Sequence, residues 1–350
     1  MRGEIMDSRE RIFTALERKE PDRVPLLEWS IDSHVIDAIY PGASYFDFLE
    51  WIDLDAVMLG YMTSLSGQPE DVQKEYKFKD KWGVTRIYTG EAIAYPIEGV
   101  IHSEEDLKSY IPPDPNAPDA LGLFPELVKK FKGTKAIIWE NRDVFSNPRY
   151  LRGTENLLID FYSNPHFAHE MIEMALSYEV VFVRRAIKAG AEIVMLGDDY
   201  AYNSGPMISP KHFKEFLLPG LRKMVSVVHE EGAYCVKHTD GNIMKIIDMI
   251  IDTGIDGLNP IDPISGMDIA EVKRKYGDKI CIIGNIDCGD LLTNGTQQQV
   301  MEAVKACISK ASRGGGHIIS SSNSIHSGVK PENFLALIEA AKNFGKYPLG

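Results

Sequence analysis

Residues 279–290 read KICIIGNIDCGD. The apolar run Ile280 to Ile283 stops at Gly284 and empties into Asn285, Asp287 and Cys288. A buried barrel strand has this pattern where it enters an active site: apolar along its length, polar and metal-capable at its end.

The pattern recurs outward from there. Residues 136–139 end in Glu140, and residues 192–196 in Asp198 and Asp199. Residues 233–237 end in His238-Thr239-Asp240, and residues 257–259 lead to Asp262. Residues 317–320 open into SSNSIH, which closes on His326. Near the N-terminus, residues 23–28 and 55–60 read as two further strands, ending at Glu28 and at Gly60-Tyr61. Helical patterns separate nearly all of these segments, the longest at 165–189, 210–231 and 297–312. Strand–helix alternation implies parallel strands with crossover connections. Eight such units predict an α/β fold, a (β/α)8 TIM barrel.

A helix at 8–18, with Ser8 as its cap, forms an N-terminal extension. Residues 68–118 are irregular and read as a small β insertion, with strands at 81–85 and 87–97 and a proline-rich connector after them. Residues 1–350 are thus expected to form a single barrel domain. An open doubly wound sheet is the alternative. It lacks support because no G-x-G-x-x-G or Walker-type loop follows the first strand.

The chain is 44% hydrophobic and 25% charged, with a net charge of −13. The acidic balance argues against nucleic acid as a partner. No apolar run reaches the ~18 residues of a membrane span, and MRGEIMDSRE is not a secretory signal, so a cytoplasmic location is expected. The four cysteines, Cys235, Cys281, Cys288 and Cys307, include no CxxC pair, which disfavours a disulfide framework.

In a barrel the residues just past the strand ends converge on one mouth. Asp199 and Glu140 are the candidate acids there. Tyr61, Tyr200, Tyr202, Asn203 and Asp240 are candidate substrate contacts. His238, Asp262, Cys288 and His326 are candidate metal ligands, because zinc takes three or four donors from thiolate, imidazole and carboxylate. Each carboxylate could equally cap a loop or helix, Tyr200 and Tyr202 could belong to a surface loop, and Cys288 could be a packed thiol.

The stretches SRERIFTALERKEPDRVP, HTDGNI, GIDGLNPI, YGDKICIIGNID and SSNSIHSGVKPENFLALIEAAKNFGKYPL resemble the uroporphyrinogen decarboxylase superfamily. The resemblance covers nearly the whole chain and implies the same barrel. It has two branches: cofactor-free decarboxylases of uroporphyrinogen, and zinc-dependent methyltransferases that act with corrinoid proteins. The decarboxylases carry an arginine-rich segment after the first strand, where this chain has PLLEWSIDSHV with no arginine. They also carry an aspartate where this chain has Leu59-Gly60-Tyr61. The coenzyme M members use an H-x-C pair and a later cysteine. The matching positions here are His238, Asp240 and Asn323 or Ser324. The O-demethylase members use acid and cysteine ligands from the last strand ends, and Asp262, Cys288 and His326 look similar to that arrangement.

The resemblance therefore implies a zinc-dependent methyltransferase that takes methyl from a small methylated substrate, such as a phenyl methyl ether, to a corrinoid. No D-x-H-x-x-G motif is present, so the corrinoid would arrive on a partner protein. A homo-oligomer is compatible with this reading. Two alternatives remain: a metal-free decarboxylase or lyase acting on a small acid or tetrapyrrole, with Arg142 as its anion-binding group, and a binding protein that kept the barrel without turnover.

Overall fold

The computed structural model describes residues 6–60, 76–89 and 94–349. A parallel sheet of seven strands forms its centre. In chain order these are β1 (Ala56–Gly60), β5 (Ala136–Asn141), β6 (Ile193–Leu196), β9 (Tyr234–His238), β10 (Gly257–Asn259), β11 (Cys281–Ile283) and β12 (His317–Ile318). Between them lie the insertion strands β2 (Tyr76–Lys79), β3 (Thr85–Tyr88) and β4 (Tyr95–Glu98), and a short ribbon, β7 (Ala201–Tyr202) with β8 (Gly205–Pro206).

Residues 24–27 close the sheet. The Ile319 amide donates to the Pro25 carbonyl at 2.9 Å, and the Leu27 amide to the Ile319 carbonyl at 3.2 Å. On the other edge, the Asp55 amide donates to the Leu26 carbonyl at 2.8 Å. Both edges are therefore paired through the first segment, and the sheet is a closed (β/α)8 barrel. This excludes the open doubly wound alternative.

The two faces of each strand differ as a barrel requires. Ala56, Met58, Ile138, Ile193, Met195, Val236 and Ile283 point inward and form one buried cluster. Val57, Leu59, Ile137, Trp139, Val194 and Leu196 point outward and join the larger cluster beneath the helices. Each such aliphatic side chain contributes about 1.5–3 kcal/mol on full burial. Ile12, Ala15 and Leu16 of the helix Ser8–Leu16 belong to the inner cluster, so the N-terminal extension plugs the barrel floor. Asp7, not Ser8, caps that helix: its carboxylate accepts from the Glu10 amide at 2.7 Å, and Glu10 returns the bond. An acid three residues ahead of Glu10 completes a capping box that Ser8 cannot form.

The insertion differs in register from expectation. Its sheet runs β2–β3–β4, antiparallel, and residues 80–84 form the turn between β2 and β3. Asp80 causes this, because its Oδ1 accepts from the amides of Trp82 and Val84 and Gly83 takes φ 79°. The expected helix at 210–231 is interrupted by a π-helical turn at Phe213–Leu217. Pro219 lies just beyond, and its missing N–H cannot serve a regular helical bond there. No helix among the described residues is long and apolar enough to cross a membrane.

Candidate active site

The inward parity of the strands carries past the apolar layers to their C-terminal ends. On β5 the inward series Ala136, Ile138 continues to Glu140, which is buried within the barrel. Its flanking positions are glycines: Gly60 pairs with it in register on β1, and Gly197 follows β6. A methyl group on Gly197 would stand 2.9 Å from Glu140 Oε1, so only glycine leaves that carboxylate its present position.

On β9 the inward series ends in His238, which is buried. Its Nδ1 lies 2.6 Å from Asn259 Oδ1, the last residue of β10 and its register partner. Asn259 Nδ2 faces the Ile283 carbonyl and Ser320 Oγ, each at 3.4 Å. That orientation makes Asn259 Oδ1 the acceptor and places the imidazole proton on Nδ1. Trp29 packs against the ring, tilted by 33° with centroids 4.6 Å apart. Burial lowers the imidazole pKa, partly offset by Asp199, so the ring is neutral with its lone pair on Nε2.

That lone pair faces two carboxylates. Nε2 lies 3.6 Å from Asp240 Oδ1 and 4.0 Å from Asp199 Oδ1. Asp199 Oδ1 accepts from the Asp240 amide at 3.1 Å, and Asn323 Nδ2 donates to Asp240 Oδ2 at 2.6 Å. Asp240 Oδ1 is buried and has no hydrogen-bond partner. Burial, then the charges of Asp199 and Asp262, push the Asp240 pKa well above the ordinary carboxylate value. The Arg149 guanidinium sits 4.0 Å from Asp199 Oδ2 and donates to Tyr150 Oη at 3.0 Å. A lone pair and two carboxylate oxygens converge here, and a proton on Asp240 or a bound cation relieves the arrangement.

The donor atoms of Asp199, His238 and Asp240 all lie within 4.8 Å of one another. Tetrahedral zinc with bonds of about 2.0–2.1 Å needs donors about 3.3 Å apart, so small side-chain rotations would close the set. The hydrogen bonds from His238 to Asn259 and from Asn323 to Asp240 are the outer contacts that orient metal ligands elsewhere. These residues fit a divalent ion.

The other expected ligands have different surroundings. Asp262 accepts from the Gly241 amide at 3.1 Å, the Ile264 amide at 3.0 Å and Ser265 Oγ at 2.5 Å. Cys288 Sγ lies 3.3 Å from Ser322 Oγ, and burial raises its thiol pKa to about 11. His326 Nε2 faces the Cys288 carbonyl at 3.1 Å, and its Nδ1 accepts from the Gly328 amide at 3.1 Å. These three are not in the group around His238. Tyr200 is fully buried with its ring over Lys237 Nζ at 4.2 Å, whereas Tyr202 is 57% exposed on the rim. Asn203 Oδ1 accepts from Ser265 Oγ at 3.1 Å. Tyr61 lies outside the described residues. Trp29, Asn259 and Arg149 escaped sequence reasoning, and Asn323 entered it only as the match of a family cysteine, not as the partner of Asp240. Inward parity from Leu27 and Gly257 would have found the first two.

Residues 83–344 match the protein-family profile described as uroporphyrinogen decarboxylase (URO-D). The chain belongs to the uroporphyrinogen decarboxylase family. Within reach of this family chain is the methylated-thiol–coenzyme M methyltransferase of Methanosarcina mazei, 28% identical over 225 residues, which are 64% of this chain and 58% of that protein. Uroporphyrinogen decarboxylase of Coxiella burnetii is 25% identical over 193 residues, 52% of this chain and 49% of that protein. The chain thus spans between about half and three-fifths of the length of these relatives. A solved structure titled as a methyltransferase from Methanosarcina mazei shares the fold, with a TM-score of 0.76 at 17% identity over 97% of this chain and 99% of that one.

Proposed function

We propose that this uroporphyrinogen decarboxylase family member is a metal-dependent methyltransferase. It moves a methyl group from a small methylated substrate, of the type of a phenyl methyl ether, to a corrinoid carried by a partner protein. The observation that carries the reading is the position of His238, whose Nε2 faces the carboxylates of Asp199 and Asp240. The methyltransferase among the relatives supports the reaction class.

Asp199, His238 and Asp240 would hold the ion, with zinc the expected one. When bound, the ion supplies Lewis acidity toward the substrate heteroatom. Asn259 keeps the proton on the far nitrogen of His238, and Trp29 fixes the plane of the ring. Asn323 turns Asp240 so that Oδ1 faces Nε2. Glu140, buried inside the barrel, would give a proton to the departing oxygen. The transfer balances as a two-electron displacement. The methyl–oxygen bond would break with its pair on oxygen, which takes up a proton, and a Co(I) corrinoid on the partner would supply the electron pair that receives the methyl group.

The metal-free alternative needs a free arginine in the mouth. Arg142 hydrogen-bonds the Gly197 carbonyl and sits 3.9 Å from Asp198, which favours a structural duty for it.

The test is metal analysis of the purified chain together with methyl transfer to cob(I)alamin, followed by the cobalamin spectrum with a panel of methyl ethers. One zinc per chain, lost in His238→Ala together with transfer, is the expected result. Transfer that persists in metal-free protein, or release of CO2 from a small acid by metal-free protein, overturns the proposal.

A further inference from the structure

The donors gathered around His238 are nitrogen and oxygen, and none of the four cysteines belongs to that group. All four cysteines are free and buried. Cys281 packs inside the barrel with Ile283 and Val236, and Cys235 packs in the cluster beneath the helices. Cys307 Sγ lies 3.6 Å from the Gly284 carbonyl. Cys288 is closed into a local pair with Ser322, whose Oγ accepts from the Cys288 amide at 3.2 Å and contacts its Sγ at 3.3 Å.

Asp240 occupies the position where the coenzyme M-type methyltransferases, by the sequence resemblance, carry a thiolate. Its two oxygens have different surroundings: Oδ2 is held by Asn323, and Oδ1 is buried without a hydrogen-bond partner on the side of His238 Nε2. Asn323 itself stands near the match of the family's later cysteine. It has become the residue that aims the carboxylate.

We infer that this chain holds its divalent ion in a thiolate-free shell of His238, Asp199 and Asp240, with Asn323 as the positioning residue for Asp240. The inference rests on the metal reading above and specifies its chemistry. Carboxylates are harder donors than thiolates, so the shell suits Zn2+, Co2+ and Mn2+ and gives no preference to a soft ion such as Cd2+.

The test uses the full chain reconstituted with Co2+, read by absorption spectroscopy without substrate or corrinoid. Wild type is expected to show visible d–d bands and no near-ultraviolet sulfur-to-cobalt charge-transfer band. Cys288→Ser should leave the spectrum unchanged, and Asp240→Cys should gain the charge-transfer band. Should Asp240→Cys fail to fold by circular dichroism, Asp199→Cys serves the same purpose. His238→Ala and Asn323→Leu should each weaken Co2+ binding by about tenfold or more. A charge-transfer band in wild type that disappears in Cys288→Ser overturns the inference. So does Co2+ uptake no tighter in wild type than in His238→Ala. A wild-type protein inactive in methyl transfer but with the expected spectra leaves the shell standing and removes only the reaction. A thiolate spectrum in an active protein does the reverse.

Discussion

His238 Nδ1 lies 2.6 Å from Asn259 Oδ1, and the Asn259 amide is itself turned toward the Ile283 carbonyl. Three successive barrel strands thus contribute to one hydrogen-bond chain, and its effect is to leave Nε2 as the free face of the ring. Asn259→Leu removes the acceptor and strands a buried N–H. Metal affinity should fall about 10–100-fold while the fold persists, as measured by equilibrium dialysis against zinc. An unchanged affinity would detach Asn259 from the site.

Beneath the mouth, Lys237 Nζ lies 2.7 Å from Asp143 Oδ2 and donates to the Asp198 carbonyl at 2.7 Å, with both side chains fully buried. Lys237→Met leaves Asp143 without its partner in a dry environment. A loss of about 3–5 kcal/mol in denaturant unfolding is expected. The double variant Lys237→Met/Asp143→Leu should recover part of it, because the Asp143 charge is removed as well, while buried Asp198 keeps only Arg142 and the amides of Phe145 and Ser146.

Glu28 is buried against Ser321, whose amide donates to Glu28 Oε1 at 3.0 Å, and burial pushes its pKa from 4.5 to about 8. The folded chain therefore keeps a proton that the unfolded chain releases. Stability from this group is complete below pH 4.5 and drains away as pH rises to about 8. The drain amounts to about 4–5 kcal/mol at most. Glu28→Gln should match wild type near pH 5 and exceed it above pH 8 in urea titrations. Parallel pH profiles for the two proteins would refute this.

His317 behaves in the opposite sense. It is buried between Ser312 Oγ at 2.7 Å and the Gly284 carbonyl at 2.9 Å, and burial lowers its pKa from 6.5 to about 4. The unfolded chain takes up a proton that the folded chain refuses. Its contribution is intact above pH 6.5 and is lost as pH falls toward 4, by about 3 kcal/mol. His317→Gln should flatten that part of the acid limb, whatever its effect at neutral pH. The slope of unfolding free energy between pH 6.5 and 4 is the readout.

The barrel was legible because its strands are short apolar runs that end abruptly, and Ile280–Ile283 before Gly284 is the clearest of them. Their inward and outward parity follows from a side-chain period of two. What sequence could not supply is direction beyond the strand ends. Asp262 lies three residues past β10, and there its carboxylate is claimed by Ser265 and the Gly241 amide. Asp240 is two residues past β9 and turns back toward His238. Both looked alike as acids in loops. Asn259 and Trp29 drew no notice because they carry no charge, and their importance is positional; Asn323 entered only as the match of the family's later cysteine. The insertion strands shifted because Asp80 binds two amides ahead of it, a turn that the hydrophobic pattern alone does not reveal.

Ile12, Ala15 and Leu16 fill the end of the barrel away from His238. Under the proposed function, the methyl donor and the carrier protein would both approach the ring from the side of the loops that follow the strands, so the two would compete for one approach rather than enter from opposite ends.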